Sequence, residues 1–211
     1  MSQPVNVGQK TLNDILIWIV QRGDDIQNAP EQVQSIQEQI AIYYKKINGL
    51  ELEAMLTAGA PGMMSMLDKD VFIYLPPIEK GNYIVPILCL EYDYATEIPE
   101  LILKIALFLF DGEQNLKAIG YRFETANKQG RHCYCHIQHI DGLGRHKLPP
   151  GIEWIPKEYP AFPIDAQDPV ELLVCMLVSL YDLAIIKNLE GKYKTLIKSN
   201  VEKMKLYRSI T

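Results

Sequence analysis

Hydrophobic positions follow three regimes along the chain. In the first sixty residues they recur at three- and four-residue spacing, the mark of amphipathic helices. Leu12, Ile15, Leu16, Ile19 and Val20 form one such stripe, with Thr11 and Asp14 placed as a capping box and Gly23 as a stop. A second helix is predicted from Pro30, because proline suits a first helical turn. Its stripe is Val33, Ile36, Ile40, Tyr43, Tyr44 and Ile47, and Asn48-Gly49 should end it. Leu50 to Leu56 reads as a third helix, broken by the run from Thr57 to Gly62.

Between residues 71 and 140 the pattern changes to β-rich blocks separated by turn formers. Val71 to Leu75 is one strand and Tyr83 to Tyr94 a longer one, in which Pro86 implies a bulge or an edge position. Leu101 to Ile140 then reads as three strands of an antiparallel meander, cut at Gly112 to Asn115 and Ala126 to Gly130. The expected sheet has about five strands, mostly antiparallel.

From Lys147 to Pro169 six prolines fall in 23 residues, interleaved with Trp154, Tyr159 and Phe162. Proline restricts the backbone without regular hydrogen bonding, so an ordered strap with its aromatics over the sheet is expected. Pro160 to Pro163 also matches the P-x-x-P recognition pattern. Asp168-Pro169 opens a last long helix, apolar along Val170, Leu173, Val174, Leu177, Leu180 and Tyr181, and a basic helical tail follows. The fold class is therefore α+β in one domain. Residues 1–62 are its helical N-terminal part, 70–140 the sheet, 147–167 the strap and 168–211 the C-terminal helices packed on the sheet.

Composition bears on function mainly by exclusion. At 48% hydrophobic and 22% charged, the 211 residues are neither disordered nor fibrous. The longest apolar run, Leu172 to Tyr181, has ten residues, where a bilayer span needs about 20, so no membrane association is expected. The segment MSQPVNVGQK lacks the apolar core of a secretory signal, and four cysteines without one suggest reduced thiols and a cytoplasmic location. The net charge of −5 is unevenly spread. Residues 187–211 hold seven basic and two acidic side chains, or +5, which leaves −10 on the other 186 residues. Such a tail suits an acidic protein surface or a nucleic-acid backbone.

The richest candidate chemistry is the cluster of His132, His136, His139 and His146 with Cys133 and Cys135. On a helix the first three would share a face at ligand spacing. On a strand His132 and His136 share a face about 13 Å apart, too far for one ion, and His139 faces away. The strand is favoured, so no metal or cofactor is expected. No G-x-S-x-G elbow is present, and Gly142-Leu-Gly144 lacks the third glycine and the helix of a dinucleotide loop. A looser anion site could use backbone N–H groups with Arg145 and Lys147, beside His146, while Arg131 belongs to the turn at the other end of the strand; His132 and His136 complete the binding candidates here. Lys194 and Lys198 are the candidates in the tail. Met55, Met63, Met64 and Met66 form a further cluster, suited to core filling or to an adaptable binding surface. These features favour a non-enzymatic binding or accessory protein acting through a protein partner. The alternative is a hydrolase, such as a metal-dependent nuclease, using the histidines with Glu91, Asp93 or Asp111.

Overall fold

The computed structural model describes residues 7–24, 29–58, 62–125, 135–144, 150–155, 162–164, 166 and 168–181. Helix α1 (Val7–Asp24) buries Leu12, Ile15, Leu16, Ile19 and Val20, as their spacing requires. It begins before Thr11 and includes Gly23, so neither residue marks a terminus. A helical glycine costs about 1 kcal/mol, which one packed stripe outweighs. Helix α2 (Glu31–Ala41) follows Pro30 and buries Val33, Ile36 and Ile40. It stops at Ala41 rather than at Asn48, and Ile42 and Tyr43 are exposed while Tyr44 turns back into the core. Asn48 instead opens α3 (Gly49–Ala58). Its Oδ1 accepts the Glu51 N–H at 2.9 Å, and the Glu51 carboxylate accepts the Asn48 N–H at 3.1 Å, a reciprocal cap.

The sheet has ten strands among the described residues rather than five. The five expected ones are β3 (Val71–Tyr74), β5 (Asn82–Asp93), β6 (Glu100–Phe110), β7 (Leu116–Glu124) and β8 (His136–Ile140). The other five are β1 (Lys45–Lys46), β2 (Met63–Ser65), β4 (Ile78–Lys80), β9 (Glu153–Trp154) and β10 (Phe162–Pro163). Two or three residues carry no readable alternation, and these strands exist because a longer neighbour offers an edge. The order is β1-β3-β5-β6-β7-β8-β10, with β2 and β4 also on β5 and β9 on β7. Every pairing is antiparallel except β1 with β3 and β7 with β9. Pro86 sits in β5 between the stretches that pair with β4 and β3, the edge-like position its missing N–H needs.

Register assigns the faces. On the front, Val85, Ile87 and Cys89 of β5 stand beside Phe108, Ala106 and Lys104 of β6, which stand beside Ala118, Gly120 and Arg122 of β7. Tyr44 covers the apolar end of this face, its ring 5.0 Å from Phe72 and 5.6 Å from Phe108. Trp154 of the strap packs on Phe108 at 5.8 Å and is buried, as expected of a strap aromatic. On the back, Tyr92 donates to Asn13 of α1. Residues 169–181 form α4, capped by Asp168, whose Oδ1 accepts the N–H groups of Val170 and Glu171. Leu172, Leu173, Leu177 and Val178 are buried, and the Tyr181 hydroxyl donates to the Pro76 carbonyl at 2.7 Å. The basic tail of 187–211 lies outside the described residues. The buried residues form one cluster, and no described helix is long and apolar enough to cross a membrane.

Candidate functional site

The front face is apolar at one end and polar at the other. Toward its polar end Cys89, Lys104, Arg122 and Gln138 lie in one row across four strands. Glu91, Ile102, Glu124 and His136 form the next row, and Asp93 beside Glu100 the last. Within these rows Arg122 donates to the Gln138 side chain at 2.9 Å. Its Nε lies 3.2 Å from Glu124 Oε2, and His136 Nε2 lies 3.6 Å from the same oxygen. His136 is fully buried, whereas Glu124 is partly exposed. Through Arg122–Gln138 and Glu124–His136 this partly buried group ties β7 to β8 in the register of the backbone ladder.

The histidine cluster divides as a strand requires. His136 faces the front with Glu124, while His139 faces the back with its ring 4.6 Å from that of Tyr121. His132, Cys133, Arg131, Arg145, His146, Lys147, Lys194 and Lys198 all lie outside the described residues. Among the described residues no three His, Cys, Asp or Glu side chains are placed to hold a metal ion. Of the residues considered for hydrolysis, Glu91 and Asp93 lie together on one face of β5, while Asp111 and His136 lie away from them. Asp111 follows the end of β6, eleven residues from Glu100, about 36 Å at about 3.3 Å per residue. It serves the β6–β7 turn, accepting the N–H groups of Glu113 and Asn115 at 2.8 and 2.9 Å. Those bonds, with the Asn115 side chain and Lys117, hold its carboxyl below the usual aspartate range. Glu91 and His136 are three inter-strand spacings apart, about 14 Å. Burial pushes the Cys89 thiol up to about 12, a tendency that Glu91 and Asp70 reinforce and Lys104 opposes. A thiol so held is no nucleophile at neutral pH.

What the polar end does form is a cleft of about 500 Å³, bounded by β2, α3 and the neighbouring parts of β5 and β6. Met55, Met63, Met64 and Ile102 give it apolar walls. Asp68, Glu91, Asp93 and Glu100 supply four carboxylates against one lysine, Lys69. Glu91 is held by the Ser65 hydroxyl at 3.2 Å, and Asp93 accepts the Ala95 N–H at 2.7 Å. The methionine cluster thus splits between two uses. Met66 is buried filling and Met64 is largely buried behind the cleft wall, whereas Met63 keeps 49% of its surface exposed at the cleft. Glu91, Asp93 and the methionines stand out in the sequence, and Glu124 is visible there as an acid of the meander. Glu100, Lys104, Arg122 and Gln138 do not stand out, because their common face depends on a register that only the pairing fixes. Comparison of the chain with protein-family models, with curated proteins and with solved structures finds no match in any of the three.

Proposed function

We propose that this chain is a non-enzymatic binding subunit that engages a protein partner through the methionine-lined acidic cleft, in a cytoplasmic complex. The observation carrying this reading is the cleft's composition, adaptable thioethers beneath four carboxylates and a single lysine. Such a surface suits a partner segment bearing lysine or arginine, whose apolar stems pack on methionine while their charged heads meet the acids. The buried thiol of Cys89, which forms no disulfide, is in keeping with a reducing compartment. A metal-dependent hydrolase is less well supported, since Asp111 and His136 lie far from Glu91 and Asp93, and among the described residues no three such side chains are placed to hold a metal ion.

The test is affinity capture from the native host with three baits, quantified protein by protein. The baits are wild type, a Glu91→Gln/Asp93→Asn/Glu100→Gln variant and a Lys194→Gln/Lys198→Gln/Lys205→Gln variant. A partner lost from the cleft variant and kept by the tail variant supports the proposal. A partner lost only from the tail variant transfers binding to the basic tail, and one retained equally by all three refutes a role for either charge cluster.

A further inference from the structure

We infer that the partner segment binds the cleft as an added β-strand on the open edge of β2, with basic side chains at alternate positions. This rests on the cleft being the partner site and specifies how it is occupied. The backbone parity of β2 is fixed by two bonds that flank it. Tyr94 N–H donates to the Gly62 carbonyl at 2.7 Å, and Met66 N–H donates to the Leu90 carbonyl at 3.0 Å. With Met63 opposite Asp93 and Ser65 opposite Glu91, the bonded pairs are therefore residues 62, 64 and 66 with 94, 92 and 90. In an antiparallel ladder bonded and non-bonded pairs alternate, so the N–H and C=O groups of Met63 and Ser65 point away from β5. No described strand lies on that side of β2, and no described backbone group bonds to those four groups. Both residues also line the cleft. Two donors and two acceptors thus stand at a sheet edge, the arrangement that extended peptides complete.

Charge sets what the strand carries. Met63, Ser65, Glu91 and Asp93 all belong to the front face, and a residue directly opposite Met63 or Ser65 on an added strand shares that face. It would lie two inter-strand spacings from Asp93 or Glu91, about 9.6 Å between Cα atoms. A lysine or arginine reaching toward a carboxylate spans that gap across Met63. A second copy of this chain pairing through its own β2 would bring the same carboxylates together, which disfavours self-association.

The probe is the fluorescently labelled peptide acetyl-Arg-Thr-Lys-Val-Arg-Thr-Lys-amide, read by polarisation against the whole chain. Two isomers carry backbone N-methyl groups, one on the three internal basic or terminal basic residues after the first, the other on Thr, Val and Thr. Antiparallel addition uses the N–H groups of the basic residues, and parallel addition uses those between them. Either way, one isomer should bind at least about tenfold more weakly than the parent and the other within about threefold of it. On the protein side, Met63→Pro removes an N–H that β5 does not use, and should weaken the parent peptide beyond the loss in Met63→Ala. If both isomers bind as the parent does, strand addition is overturned while the cleft reading stands. If the parent peptide fails to bind, or binds the Glu91→Gln/Asp93→Asn/Glu100→Gln variant equally well, the cleft reading itself falls and strand addition with it.

Discussion

Gly120 gives the sharpest test of the front-face packing. It lies in β7 between Ala106 of β6 and Ile140 of β8, beneath Trp154. A methyl group built there would stand 2.6 Å from the Ile140 carbonyl oxygen, 2.8 Å from Ile140 Cγ1 and 2.9 Å from Trp154 Cζ3. The two side chains could shift, but the carbonyl belongs to the β7–β8 ladder and can move only by distorting it. Overpacking of this kind costs about 1–3 kcal/mol. Alanine would recover about 0.5–1 kcal/mol of the strand penalty that glycine carries. The backbone clash places Gly120→Ala near the upper end, so the net loss should be about 2 kcal/mol. For a chain of this size that lowers Tm by about 4–8 °C. Urea unfolding followed by far-ultraviolet circular dichroism measures the first quantity and a thermal scan the second. An unchanged or raised stability would mean that Trp154 and β8 do not close over β7 as described.

Other perturbations probe separate parts of the fold. Leu177→Ala should cost about 2–5 kcal/mol, because the side chain is 2% exposed, and a loss within about 0.5 kcal/mol in a denaturant titration would place it on the surface. Glu124→Gln should destabilise the protein, since it leaves Arg122 facing a neutral amide beside buried His136, and denaturation showing no loss would separate this group from the register. The Cys89 thiol is raised from 9.0 to about 12 by burial, so its contribution is fully present below pH 9 and is lost as pH rises toward 12. Cys89→Ala should therefore flatten the decline in stability across that window, and equal slopes for both proteins would refute the assignment. The Asp111 carboxyl is lowered by its turn hydrogen bonds, so its contribution persists above the ordinary aspartate range and fades as pH falls below it. Asp111→Asn should weaken that acid dependence, which an acid titration of stability would show.

The α+β class and the long elements were legible because periodicity needs length to show itself. Eighteen residues of α1 and twelve of β5 provide it, whereas β2, β4, β9 and β10 do not. Helix ends were less legible, since Thr11 and Asn48 both have capping chemistry and only packing decides which one caps. Asn48 does so because the chain has already left α2 at Ala41 to place Lys45–Lys46 beside β3. The cleft was half visible. Its methionines stood out as a cluster and Glu91 with Asp93 as an i, i+2 pair, but Glu100 joins them only through the pairing of β5 with β6. Histidine density drew attention to β8, where buried His136 approaches the partly exposed Arg122–Glu124 pair.

The most direct measurement of the cleft's role is the affinity of the basic heptapeptide for the chain as a function of salt. Binding driven by four carboxylates around a shallow apolar floor should weaken steadily as salt rises and screening shortens its range. In the Glu91→Gln/Asp93→Asn/Glu100→Gln variant, whose side chains keep nearly the same shape, affinity should fall at least about tenfold at low salt and the salt dependence should flatten. Equal affinity and equal salt slope for the two proteins would contradict a partner site in this cleft.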